Sequence, residues 1–444
     1  MISSPKTDRD IGLEYYLTDT PGIGGSLRRL AEDFQVEEGY PEMTYEGGRF
    51  LIVEVEKSNW DMHHLIRDLS RALRISQRRF GWAGTKDKRA LTRQRISILG
   101  VEEKDVHKVR LPGVGLTVLG STNRSVGLGD LTGNRFTIRV RDLDVGPGEA
   151  ALCLERTTAK IREQGGVPNY FGVQRFGEVR PVTHLVGRAL ARGDLELAVF
   201  TYLALPYPDE PPVTRTARER LWQDRDVSRA LREFPPHLHY ELAMLNHLRA
   251  NPGDYAGSFD VLAPNLKRMF IHAYQSYIFN RILSRRLEAG MPLGLAVEGD
   301  VVCFSRDGRP DLSRLQRVGA DELGAVNRLA KLGRAFVTLP LFGSQSELAG
   351  GREGRIEETV IAEEEVARED FVIPENRELG STGARRTAIL RVNPGHHLEE
   401  DGSAVLEFVL PPGSYATVVM REYMKSGSLR EGKNEKKCEG KERR

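Results

Sequence analysis

The sequence predicts an α+β protein of two domains, the second inserted into the first, and three observations carry that prediction. Strand-like alternation recurs between residues 50 and 141, long helical periodicity takes over from about Pro168, and strand-like alternation returns beyond Arg385. At 444 residues the chain also exceeds the length that one hydrophobic core usually supports.

Taken in order, Phe50 to Glu56 (FLIVEVE) reads as a strand. Asp61 to Leu73 reads as a helix with Met62, Leu65, Ile66, Leu69, Ala72 and Leu73 on one face and Asn59 as its expected N-cap. Gln94 to Leu99 turns Ile96 and Ile98 to one side. Phe136, Ile138 and Val140 alternate with Arg135, Thr137, Arg139 and Arg141, a half-buried strand with an arginine-rich outer face. In the helix-rich part, Asn265 to Ala289 forms one long helical pattern that Gly290 can end. The strand patterns TAILRV and AVLEFVL follow, then Pro411-Pro412-Gly413-Ser414-Tyr415 and a short helix through Tyr423, so the closing part is expected to complete the first domain. No repeat of fixed period is evident.

Hydrophobic content of 39% and charged content of 29% suit a folded protein. Cys153, Cys303 and Cys438 are odd in number, with no spacing that frames zinc or disulfides, which points to a reducing cytoplasm. The start lacks an apolar core with a basic flank, and no run approaches 18 apolar residues, so export and membrane insertion are not expected. The histidines, His63-His64 and His396-His397 included, form no metal-binding pattern and read as structural or solvated.

The net charge of +2 hides a strong asymmetry. From Arg71 to Arg95 nine basic residues surround a single acid, Asp87, for a local net of +8. Arg352 to Asp370 has the opposite bias, eight acids against three arginines, and is expected to be a solvated helix or loop far from any phosphate. The tail 425–444 carries eight basic and four acidic residues among polar ones, and is expected to be disordered with weak RNA affinity.

Within the basic stretch, Phe80 to Arg89 (FGWAGTKDKR) combines small residues that allow close approach of a ligand with a carboxylate among cations. It does not fit a phosphate-binding GxxxxGK[ST] loop. Cations beside a carboxylate favour its charged form, which can serve as nucleophile or base. Pairing of Asp87 with Lys86 or Arg89 at a turn is the ordinary alternative, and composition alone leaves it standing. Basic residues bind phosphates whatever the sequence, and aromatic or guanidinium planes stack on unpaired bases. A charge run can equally be a solvated face.

Five ordered motifs decide further. Glu32 to Glu38 (EDFQVEE), Gly84 to Gln94 (GTKDKRALTRQ), Gly133 to Phe136 (GNRF), Pro168 to Gly177 (PNYFGVQRFG) and Leu410 to Thr417 (LPPGSYAT) together resemble the TruD family of tRNA pseudouridine synthases. The resemblance implies a pseudouridine-synthase catalytic domain built on a mixed antiparallel sheet, formed by 1–167 and 386–424, with a family-specific α/β TRUD domain inserted at 168–385. It implies isomerisation of a uridine in tRNA, the family's usual target being position 13 in the D stem, with no metal or organic cofactor. Asp87 would be the catalytic carboxylate, and Phe34, Asn134, Phe136 and Tyr415 would line the base pocket, with Lys86 orienting the phosphate or holding Asp87 charged. A tyrosine stands at Tyr415 where relatives often carry phenylalanine. Its hydroxyl adds a hydrogen-bonding group to a ring that still stacks.

Each residue also has an ordinary reading: Phe34 and Phe136 as strand core, Asn134 as a turn residue, Ser414 as a helix cap, Lys86 as surface charge. Tyr170, Phe171 and Phe176 could pack the domain junction, with Gln174 and Arg175 reaching RNA. A cytoplasmic monomer is the expectation. The competing function is a non-catalytic RNA-binding or chaperone protein on the same fold. A metal-dependent nuclease would want paired carboxylates, and the segment around Asp87 offers one.

Overall fold

A computed structural model describes residues 2–372 and 379–426; the tail beyond Ser426, with Cys438, lies outside the described residues. The chain divides into two compact units, Thr18–Gly166 with Arg391–Arg444, and Met1–Leu17 with Val167–Leu390. Sequence had placed the first seventeen residues with the catalytic domain. Instead they are tied into the second unit: Asn280 donates to the carbonyl of Ile11, Ser284 to that of Gly12, and Arg281 faces Glu14.

Along the chain the strands among the described residues are β1 (Phe34–Gly39), β2 (Phe50–Ser58), β3 (Phe80–Trp82), β4 (Leu91–Leu99), β5 (Val114–Thr122), β6 (Gly133–Val140), β7 (Val167–Pro168), β8 (Val301–Arg306), β9 (Arg309–Arg317), β10 (Ala335–Leu341), β11 (Ala384–Thr387), β12 (Ile389–Leu390), β13 (Gly395–Leu398) and β14 (Ala404–Leu410). Eight of them form the sheet of the first-named unit, in the order β13-β14-β6-β1-β4-β2-β5, with β3 also on β4. The mixed, largely antiparallel sheet and the helices around it make this an α+β fold. The return of the chain as β13 and β14 completes the sheet, because β14 pairs with β6 from Ala404–Val140 to Leu410–Asn134.

The sequence pattern explains the layering. Leu51, Val53 and Val55 of β2 and Ile96 and Ile98 of β4 share one face, on which Met62, Leu65, Ile66 and Leu69 of the helix Met62–Leu73 are buried. Each such side chain contributes roughly 1.5–3 kcal/mol by leaving water. Ala72, expected on that face, is exposed. The cap is Asp61, whose carboxylate accepts from the amides of His63 and His64, while Asn59 adopts a left-handed conformation at φ +62°. Gly133 of the GNRF motif is required by packing, since a Cβ there would stand 2.7 Å from the carbonyl oxygen of Leu410 on β14.

The second-named unit is built on the helix Pro264–Glu288, which is followed by Gly290 at φ +65°. It also contains a four-stranded sheet, β11-β10-β8-β9. The PNYFGVQRFG segment is structural within this unit. Phe171 exchanges hydrogen bonds with Asn280, Tyr170 bonds Ser284, and Phe176 is fully buried. Arg175 donates to Ser276 and stands over the Phe171 ring.

The acidic stretch departs most from its expected solvated state. Its helix, Gly351–Glu363, buries Glu353 and Glu357 completely. Glu353 pairs with Arg286, which also holds both oxygens of Asp300, and Glu357 pairs with Arg385. Those arginines are distant in sequence, so the local charge count could not reveal them.

Candidate active site

β4 is shared along one edge by two strands: β1 runs parallel to it at Leu91–Arg93, and β3 antiparallel at Ile96–Ile98. Because β1 occupies the edge ahead, the chain leaving β3 cannot continue in the ladder. Residues 83–90 therefore form a loop, tied at its start where Gly129 N–H donates to the Ala83 carbonyl (2.9 Å) and the Gln94 amide to the Gly84 carbonyl (3.2 Å).

Asp87 sits in this loop with its side chain 41% exposed. The partner sequence suggested for it was Lys86 or Arg89. The ion pair it makes is instead with Arg28, at 3.1 Å, an arginine that is itself buried. Arg28 takes a left-handed backbone conformation (φ +56°) and lays its guanidinium on the Phe34 ring, 4.2 Å from the centroid. The ring thus fixes the arginine, and the arginine directs the carboxylate.

Beneath the loop lie two charged residues in positions that strand alternation assigns to the core. Glu38 follows Phe34 and Val36 on the inner face of β1, and Lys57 follows Val53 and Val55 on that of β2; both are buried. Lys86 makes an ion pair with Glu38, and Tyr40 donates to the same carboxylate. Burial pushes the Glu38 carboxyl above its ordinary range, with Lys86 and Lys57 drawing it down. Lys57 donates to the carbonyls of Trp60 (2.8 Å) and Asp87 (3.3 Å). Burial lowers its ammonium to about 8, against the opposing pull of Asp87, Asp61 and Glu38.

Lys86 is accordingly not free for phosphate. Its side chain is 9% exposed and its ammonium compensates a carboxylate that would otherwise be buried alone. Phe34 and Phe136 meet edge to face at 6.1 Å, and Phe136 stacks on Phe408 at 5.5 Å, both site candidates being buried. Asn134 is half-buried opposite Glu38 on β1 and Leu410 on β14, and its side-chain oxygen is enclosed without a hydrogen-bond partner. Tyr415, not Ser414, is the N-cap of the helix Ala416–Met424, half-buried and five residues beyond Leu410.

A chain of contacts reaches the loop from Phe136 through Phe34 and Arg28 to Asp87, and a second link runs from Glu38, the ladder partner of Asn134, to Lys86. Arg28, Glu38 and Lys57 were missed by sequence reading. For Glu38 and Lys57 a signal existed, since each is a charge at an inward position of a strand. Arg28 has no such pattern.

The +8 segment is much reduced in the folded chain. Arg93 faces Glu37, Glu54 and Glu56 from neighbouring strands, Arg79 caps the Leu99 and Gly100 carbonyls, and Arg95 lies over Tyr40. Arg139 on β6 and Arg141, just beyond its end, are likewise paired, with Glu399, Asp401 and Asp33. Arg71, Arg74, Arg78 and Lys88 stay exposed. Among the described residues no cluster of three histidine, cysteine or carboxylate groups could hold a metal ion, and no helix is long and apolar enough to cross a membrane.

The family model described as tRNA pseudouridine synthase D (TruD) matches residues 10–423. A protein of Methanococcoides burtonii named probable tRNA pseudouridine synthase D is 49% identical over 97% of this chain and 100% of its own length. One of the same name from Methanosarcina mazei is 50% identical over 96% of this chain and 99% of its own. A crystal structure from Methanosarcina mazei, titled as a putative tRNA pseudouridine synthase D, superposes with a TM-score of 0.88 at 50% identity, covering 96% of this chain and 100% of that one.

Proposed function

The chain belongs to the TruD family of tRNA pseudouridine synthases, and on that footing we propose that it isomerises a uridine of tRNA, at position 13, with Asp87 as the catalytic carboxylate. The observation that carries the reading is the Arg28–Asp87 pair at 3.1 Å, which couples a buried, ring-braced cation to a carboxylate open to solvent.

Pseudouridine formation breaks the N1–C1′ bond, turns the uracil and rejoins it through C5. The target nucleotide leaves its stack at a cost of a few kcal/mol, least where pairing is weak. Asp87 then acts at C1′, at C6 or on the 2′ proton. Each route requires the carboxylate oxygen within about 3 Å of its target. Asn134 would read the uracil edge through its side-chain amide; Phe34, Phe136 and Tyr415 would wall the pocket, and Lys86 would support the loop through Glu38.

The test is to incubate the full chain with unmodified tRNA transcripts and map pseudouridine by chemical modification. Conversion at position 13 is expected. Tight binding with no pseudouridine in any tRNA would transfer the protein to the non-catalytic alternative. We also expect tRNA affinity to fall steeply with salt, and Lys88→Ala, which removes an exposed loop cation, to reduce the log–log slope by about 1. A slope unchanged in Lys88→Ala, measured by filter binding, would remove Lys88 from the RNA surface.

A further inference from the structure

At its inner end β2 breaks its own pattern. Leu51, Val53 and Val55 occupy one face, and the next residue of that face is Lys57, which has no exposed surface. The β2–β4 ladder is made by main chains and would accept an apolar side chain here, whereas a buried ammonium is unfavourable unless it is hydrogen-bonded. The acceptors it has found are the carbonyls of Trp60 and Asp87. Lys57 also lies opposite Thr92 in register, one residue from where the loop enters β4, so its side chain extends below the returning chain.

We infer that Lys57 is a positioning residue: its ammonium anchors the main chain of Asp87 and so holds the carboxylate at the angle the reaction needs, without touching the uridine. This rests on Asp87 being the catalytic carboxylate. Arg28 constrains the carboxylate oxygens and Lys57 the backbone, and a side chain held at both ends keeps its direction through a turnover.

The charged groups facing Lys57 are Asp87 and Lys86 on the loop, Asp61 at the start of the neighbouring helix and Glu38 on β1. With burial bringing the ammonium to about 8, the charged anchor is present at neutral pH and is lost above it. The neutral amine has one donor fewer and makes weaker hydrogen bonds.

The experiment compares Lys57→Met and Lys57→Arg with the unaltered full chain, measuring kcat and KM for tRNA between pH 6 and 9 after a circular-dichroism check of folding. The unaltered chain should lose kcat on the alkaline side near pH 8. In Lys57→Met, kcat should drop by about tenfold to a hundredfold at pH 7 with KM within about threefold, and the alkaline fall should vanish. Lys57→Arg, whose cation does not titrate, should recover part of the rate and show no fall near pH 8. If Lys57→Met does not fold, the arginine variant decides: an alkaline fall identical to that of the unaltered chain assigns that limb to another group and overturns the inference. So does a folded Lys57→Met with unchanged kcat, or an effect on KM alone. An unaltered chain that makes no pseudouridine would instead overturn the proposed function.

Discussion

Asp87→Asn is expected to reduce pseudouridine formation by at least about 10⁴-fold while changing tRNA affinity less than about tenfold. The substitution keeps the shape of the side chain and an oxygen for Arg28, 3.1 Å away, but removes the charge that addition or proton removal requires. Binding is set by contacts along the tRNA, to which one loop carboxylate contributes little, and the loss of a negative charge near phosphates if anything favours it. Single-turnover conversion of a tRNA transcript, with filter binding of the same preparations, separates the two. Full activity in Asp87→Asn would end the catalytic assignment; a matching collapse of binding would show that the loop had been disrupted.

The second large effect concerns stability. Arg286 is completely buried, donating to both oxygens of Asp300 at 2.8 Å and to Glu353 at 2.7 Å. Arg286→Leu leaves two carboxylates without their cation, and breaking a buried cluster from one side costs about 3–5 kcal/mol. Urea unfolding followed by circular dichroism measures it, and a loss below about 1 kcal/mol would mean that the cluster is dispensable. The pH dependence has a defined sign. Burial raises Glu353 from its ordinary 4.5 to about 7, so the stability linked to its protonation is present below 4.5 and lost as pH rises through 7. Without Arg286 the Glu353 carboxylate loses the cation that opposes its protonation, and the variant should be closer to the unaltered chain at pH 6 than at pH 8.

Much of the fold could be read because its elements have local causes. The helix Met62–Leu73, strands β2, β4, β6 and β14 and the long helix Pro264–Glu288 all follow from apolar spacing of two or of three to four residues, and the observed ends lie within a few residues of those expected. Caps were less legible. Asn59 and Asp61 are both plausible caps by type, and only the backbone turn at Asn59 leaves the role to Asp61. The membership of the first seventeen residues was not legible, since Ile11 and Gly12 are held by a helix some 270 residues away.

The sequence by itself determined, through five motifs, the family to which the chain belongs, and it offered one candidate carboxylate among small and cationic residues. What only the tertiary structure decided is where each charge is directed. Asp87 turned from its chain neighbours to Arg28, Lys86 to Glu38, Arg93 to acids on β1 and β2, and Glu353 from solvent to Arg286. The physical reason is that helix and strand patterns depend on residues two to four apart, whereas an ion pair depends on distance and burial. Charges separated by fifty or more residues are brought within 4 Å only when strands pair and helices pack.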